Sequence, residues 1–270
     1  MNNKITIAID AMGGENAPIK NIQGLNLFFE KNKKNDNFFF NIYGDQIQIN
    51  KELKKYNIPE KYIKVFHSSS VVSDEETPLT AIKNSKDSSM WNSIESQINA
   101  KANISVSAGN TGVLFVISRM LLKTMDEIKK PALAGFWPNK KNMNVVLDLG
   151  ANIECDENNL VDFAEMGAAL FKSLFPNEDS KVALLNIGSE EIKGTDILKK
   201  AYSRLKELSR FGDFKFNGFI EGNQITEGKS NVIITDGFTG NVALKTAEGT
   251  AKFITDSLKD VLKETLLAKF

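Results

Sequence analysis

Arginine is scarce in this 270-residue chain: Arg119, Arg204 and Arg210 are the only three among 34 Lys plus Arg. An anion site built from these residues leans on backbone N–H groups and lysine, not on paired guanidinium forks. The single cysteine, Cys155, excludes a disulfide framework and a thiolate zinc cluster and fits a reducing cytoplasm. The single histidine, His67, allows one imidazole for acid–base work and reads as a capped loop residue. Net charge is zero, so no global field draws the chain to nucleic acid or to an anionic membrane. The longest apolar stretch, VLFVI followed by MLL, is broken by Arg119 and too short for a bilayer. MNNKITIAIDAMGG enters a strand directly, without a signal-peptide core. The reading is a soluble, cytoplasmic protein.

What is present is an alternation. Apolar, β-branched runs recur at 4–9, 38–43, 104–107, 144–149, 182–187 and 231–236, and helix-period segments separate most of them. Pro18 opens one helix, Thr195 or Asp196 caps another, and Gly167 and Ala168 lie on the packing face of a third. Nearly all-apolar strands between helices predict an α/β protein with a doubly wound, mostly parallel sheet and helices on both faces. No linker or repeat divides the chain, so residues 1–270 read as one domain. Helical periodicity from Val242 to Phe270 runs to the last residue without a stop signal, and the chain reads as cut there. In this helix, residues to about Thr250 are expected in the core, with Leu262, Leu266, Leu267 and Phe270 at a dimer interface or on an apolar tip.

In doubly wound sheets ligands sit outside the carboxyl ends of the strands, so the loops there carry the chemistry. IDAMGGENAP offers Asp10, Gly13 and Gly14; SAGNTG offers Gly109, Asn110, Thr111 and Gly112. LDLGANIECD offers Asp148, Gly150 and Asn152; NIGSEEIKGTD offers Ser189, Lys193 and Thr195; TDGFTGNVALK offers Asp236, Thr239, Gly240, Asn241 and Lys245. Glycine lets a ligand approach the backbone, and Thr or Asn at a helix start presents small polar groups to an anion. No Walker A, G-x-G-x-x-G or G-x-S-x-G sequence is present. Asp10, Asp148 and Asp236, each at a strand end, read as orienting loop N–H groups, and no metal or cofactor is expected. Cys155, with apolar neighbours, reads as structural.

In order along the chain, IDAMGGENAP, KDSSM, VSAGNTG, KKPALAGFWP, LDLGANIECD, FAEMGAAL, LLNIGSEEIKGTD, GFIEGNQI and IITDGFTGNVALKTAEGT resemble the bacterial phosphate acyltransferase family PlsX, from Asp10 to about Lys252. The resemblance implies transfer of a fatty acyl group from acyl carrier protein to inorganic phosphate, giving an acyl phosphate for phospholipid synthesis. It implies a homodimer with an isocitrate/isopropylmalate-dehydrogenase-like fold. Because a long-chain acyl phosphate must reach a membrane acyltransferase, the apolar helix end has a motive for peripheral contact with the inner membrane surface or with a membrane glycerol-phosphate acyltransferase. Three departures stand out. The Gly-rich segment and Ser-His-Gly motif beyond the family's long helix are missing, AIKNS is less basic than its counterpart, and HSSSVVSDEETP lacks the usual Met.

The chemistry fits residues that form no triad. Phosphate is largely a dianion near neutrality and needs no general base, and a thiolate leaves readily. What remains is positioning and oxyanion stabilisation. SAGNTG and DGFTGN are expected to hold phosphate and the thioester carbonyl, with either assignment open. Asn110 and Asn241 would act as donors, and Lys193 or Lys245 would neutralise charge. The alternatives are a phosphotransacylase using acyl-CoA and, against the scarcity of arginine, a metal-dependent hydroxy-acid dehydrogenase.

Overall fold

The computed structural model describes residues 4–34, 37–73, 75–77, 80 and 83–264. The chain divides into two compact units, Met1–Met125 and Asp126–Phe270. In the first, β1 (Ile5–Asp10), β2 (Phe38–Gly44), β3 (Ile63–His67) and β4 (Ile104–Ser107) form a parallel sheet in the order β3-β2-β1-β4. Its helices are α1 (Ile19–Lys31), α2 (Gln46–Leu53), α3 (Ser89–Ile98) and α4 (Thr111–Leu122). Alternate residues of a strand face opposite sides, and the two faces are covered separately. Phe40 and Ile42 of β2 pack with Ile22, Leu25 and Phe29 of α1 and Ile49 of α2. Ala8 and Tyr43 look the other way, towards Ala102. Met90 and Ile94 of α3 interlock with Val113 and Ile117 of α4. The strand order reverses between β1 and β4, so their two carboxyl ends frame the switch point where an open α/β sheet takes a ligand.

The second unit holds β5 (Gly135–Pro138), β6 (Met143–Leu147), β7 (Ser180–Leu185), β8 (Phe214–Ile220) and β9 (Val232–Ile234), ordered β5-β6-β9-β7-β8. Only the β5–β6 pair is antiparallel. Val145, Leu147, Val182, Leu184, Val232 and Ile234 point to the face covered by α5 (Glu157–Leu174) and α6 (Asp196–Leu208), where Phe163, Phe171 and Leu205 are fully buried. The residues between them, Val146, Ala183, Leu185 and Ile233, point the other way, where Leu244 of α7 (Gly237–Glu264) packs. Gly167 and Ala168 are both buried on α5, as their small size predicts.

The α/β class, the parallel pairing and the helices on both faces follow the sequence reading, and all six apolar runs fall on strands. Two features differ. The strands belong to two sheets, and three of them, β3, β5 and β8, lie outside the six runs. β3 exposes Lys64 and His67, β5 is a four-residue antiparallel strand ending in Pro138, and β8 carries Asn217 and Gly218 beside a register irregularity at Val182/Leu184. Polar residues in β3 and β8, and the short length and terminal proline of β5, break the apolar run that marks a buried strand. The second difference concerns α7. Its period predicts core residues to about Thr250, yet past Gly240, among the described residues, only Ala243, Leu244 and Ala247 are even half-buried. Its apolar stripe, including Phe253, Ile254, Leu258, Val261 and Leu262, is exposed. A helix period shows that one face is apolar but not what covers it. Leu266, Leu267 and Phe270 lie outside the described residues.

Phe163 sits at the centre of the larger core and is fully buried. Phe163→Ala is expected to lower the unfolding free energy by about 3–5 kcal/mol. Urea denaturation checks this: the midpoint should fall with the slope unchanged.

Candidate active site

Each unit carries a polar cluster at the carboxyl ends of its strands, organised by a buried carboxylate. In the first unit Asp10 ends β1 and is buried. Its Oδ2 accepts from Ser107 Oγ at 2.7 Å and its Oδ1 from the Met12 N–H at 3.2 Å. Ser107 Oγ in turn accepts from the Gly109 N–H at 3.1 Å. The β1 and β4 loops are therefore tied side by side. A Cβ on Gly13 would stand 2.5 Å from Asp10 Oδ2 and 2.8 Å from Gly109 N, so only glycine fits there. Asn21 Nδ2 holds the same loop by donating to the carbonyls of Ala11 and Gly13, and the Gly14 carbonyl accepts from the Ala17 N–H.

Asn110 is the N-cap of α4. Its Oδ1 accepts from the N–H groups of Gly112 and Val113 at 3.1 and 3.2 Å, and its Nδ2 donates to the Glu76 carbonyl at 3.1 Å. Both ends of the amide are engaged in the fold. Thr111, the first residue of α4, is exposed, and its backbone N–H has no acceptor among the described residues.

In the second unit Asp148 follows β6 and is fully buried. Oδ1 accepts from the N–H groups of Leu133, Gly150 and Ala151 at 3.0–3.1 Å, and Oδ2 from both the backbone N–H and the side-chain amide of Asn152 at 2.7 Å. Asn152 also donates to the Pro131 carbonyl, and its own carbonyl accepts from the Gly237 N–H at 2.8 Å. This fastens the β6 loop to the start of α7. A Cβ on Gly240 would collide with the Asp148 carbonyl, which accounts for glycine one turn into the helix. Asp236 caps α7, its carboxylate accepting from the N–H and the hydroxyl of Thr239 at 2.8 Å each. Of the first-turn N–H groups, those of Gly237, Thr239 and Gly240 are taken, and that of Phe238 has no acceptor among the described residues.

The sequence-derived residues therefore separate into frame and free groups. Asp10, Asp148 and Asp236 spend their oxygens on loop donors, as expected of carboxylates that orient N–H groups. Asn241 is different from Asn110: it is exposed in the first turns of α7, and its amide makes no hydrogen bond among the described residues. It stands close to Gly150, where a Cβ on the glycine would lie 3.5 Å from the Asn241 side chain. Lys245 pairs with Glu248 at 2.9 Å, whereas Lys193, exposed on the β7 loop, pairs with no carboxylate among the described residues. Asn186 holds that loop by donating to the Lys193 carbonyl. Ser107 and the Phe238 N–H escaped the sequence reading. Ser107 becomes meaningful only once β1 and β4 are known to be neighbours.

The sequence profile of a family described as fatty acid synthesis protein matches residues 5–270. A phosphate acyltransferase of Pelagibacter ubique is 50% identical over 269 residues, covering 100% of this chain and 79% of its own. A phosphate acyltransferase of Caulobacter vibrioides is 39% identical over 268 residues, covering 99% and 73%. Among solved structures, the EutD phosphotransacetylase from Staphylococcus aureus superposes with a TM-score of 0.63 at 14% identity, over 92% of this chain and 83% of that one, a likeness of fold.

Cys155 is half-buried, its thiol 3.5 Å from the Asn152 carbonyl, and burial pushes it up to about 11. The reactive thiolate is then on the order of one in 10³ at pH 8. Iodoacetamide is expected to label Cys155 slowly at pH 8 and much faster as pH rises towards 11. Mass spectrometry would report this, and labelling at pH 8 at the rate of an exposed thiol would contradict it.

Proposed function

Because the chain belongs to the fatty acid synthesis protein family, we propose how it carries out acyl transfer to phosphate and which of its atoms do so. It is an acyltransferase of fatty acid and phospholipid synthesis that moves an acyl group onto phosphate. Our reading takes the thioester of acyl carrier protein as donor. A phosphate oxygen attacks the thioester carbonyl carbon, the C–S bond breaks, and the carrier thiolate leaves and is protonated by solvent. Inorganic phosphate already carries negative charge near neutrality and a thiol has a pKa of about 8.5, so neither partner requires a strong base or acid from the protein. The protein's task is to hold two anionic centres together and to stabilise the oxyanion.

The observation that carries the assignment is the uncommitted pair Asn241 and Lys193. In the same unit the side chains of Asp148, Asn152, Asp236 and Thr239 are spent on the loops themselves. The Asn241 amide and the Phe238 N–H serve as oxyanion donors at the start of α7, where the helix dipole favours negative charge. Lys193 neutralises phosphate. In the first unit the Thr111 N–H and hydroxyl at the start of α4 supply a second anion seat, with Asn110 shaping it; in the second, Lys245 adds positive charge further along α7. Asp10, Asp148 and Asp236, with Gly13, Gly14, Gly109, Gly112, Asn152, Thr239 and Gly240, hold the loops. The proposal extends to the isocitrate/isopropylmalate-dehydrogenase-like variant of the fold, to a homodimer and to peripheral contact at the inner membrane surface. The exposed apolar stripe of α7 supports a covered or membrane-facing helix.

Palmitoyl-acyl carrier protein and inorganic phosphate are expected to give hydroxylamine-trappable acyl phosphate, unchanged by EDTA, with palmitoyl-CoA a much poorer donor. Equal turnover of the CoA thioester would overturn the carrier-protein assignment. Asn241→Ala is expected to lower turnover about 10²-fold with an unchanged thermal midpoint. Asn110→Ala removes a cap and should cost about 1 kcal/mol of stability, read by urea denaturation. Equal stability loss in both variants would make Asn241 a structural residue.

A further inference from the structure

The carboxyl edge of the second sheet is not polar throughout. Ile153, Ile187 and Ile192 on its loops and Phe238 in the first turn of α7 are 68%, 82%, 79% and 63% exposed. Each adjoins a residue that builds the site: Ile153 follows Asn152, Phe238 follows Gly237, Ile187 follows Asn186, and Ile192 precedes Lys193. They are also neighbours across the sheet. β9 lies between β6 and β7, and the Gly237 N–H donates to the Asn152 carbonyl, which sets Ile153 and Phe238 on adjoining backbone. Since β9 pairs with β7, the loop after β7, which holds Ile187 and Ile192, leaves the sheet beside the turn after β9 that leads to Gly237 and Phe238. At about 4.8 Å per strand, the row from β6 to β7 spans roughly 10 Å.

Leaving four large apolar side chains in water beside a site of N–H, amide and ammonium groups is unfavourable unless something apolar covers them. The substrate supplies it, since a fatty acyl thioester has a polar head for the donors and a tail with no hydrogen-bonding groups. We propose that the acyl chain lies across the ends of β6, β9 and β7 on an apolar lip made by Ile153, Phe238, Ile187 and Ile192, and that these side chains set chain-length preference. The inference rests on the reading of the same site given above. It adds the seat of the tail, next to the Asn241 and Lys193 groups that handle the head. A narrow alkyl chain suits a row four side chains long better than a protein partner does, because stable protein contacts need a far broader patch.

The Ile187→Ser/Ile192→Ser double variant tests this, and both positions are exposed loop sites whose change should leave the thermal midpoint in place. The ratio of kcat/KM for palmitoyl- over hexanoyl-acyl carrier protein is expected to fall at least tenfold. A free fluorescent long-chain fatty acid, which needs neither carrier nor phosphate, should bind the variant at least fivefold more weakly than the unaltered chain. An unchanged ratio with unchanged probe binding would overturn the proposal. So would a change in sedimentation mass of the variant, which would mean that a second copy covers the lip. If the unaltered chain turns over neither carrier-protein donor, the donor assignment fails, and probe binding alone then decides the lip: weaker binding by the variant supports it and equal binding rejects it.

Discussion

The second unit depends on one buried anion. Asp148 sits in the interior with no cationic side chain bonded to it among the described residues, yet its two oxygens accept five hydrogen bonds from Leu133, Gly150, Ala151 and both nitrogens of Asn152. A buried carboxylate without partners would be prohibitively costly, whereas one surrounded by N–H donors is stabilised by each. The arrangement fixes the loop after β6 in one conformation. Through the Asn152 carbonyl, which accepts from the Gly237 N–H, it also fixes where α7 begins. Removing the carboxylate would strand several buried donors at once, each at about 1–3 kcal/mol.

The same logic selects the groups left over for chemistry. A strand-end loop must satisfy its own N–H and C=O groups before it can serve a ligand. Asp10 with Ser107, Asp148 with Asn152, Asp236 with Thr239 and Asn110 with Gly112 and Val113 meet that requirement locally. What they leave are a few donors at the starts of α4 and α7, an amide and an ammonium. Under the proposed function, such groups in each unit need little reorganisation when charge develops. The raised Cys155 thiol is in keeping with the proposed direct attack by phosphate, which asks for no acyl-enzyme.

A good part of the architecture was legible in the residues. Runs such as Ile5–Asp10, Phe38–Gly44 and Ser180–Leu185 are apolar on both faces because both faces are covered, and that doubling is what parallel pairing looks like in sequence. β8 was not legible, because Asn217 and Gly218 interrupt it and its place is held by pairing with β7. Nor was the exposure of α7, whose stripe of Phe253, Ile254, Leu258 and Val261 has the spacing of a buried helix. Periodicity reports the moment of a helix and is silent about its partner.

Asn110 and Asn241 mark the boundary most clearly. Sequence by itself determined the class of fold, the six principal strands, the polar loops at their ends and the family, since all of these are written in local pattern and ordered motif. It presented the two asparagines as equivalents, each in a Gly-Thr-Asn loop before a helix. Only the tertiary structure decided that one amide is consumed in capping and in a bond to Glu76 while the other is uncommitted beside Gly150. The reason is physical: a residue type sets which hydrogen bonds a side chain can make, but the neighbours that claim those bonds arrive from distant parts of the chain.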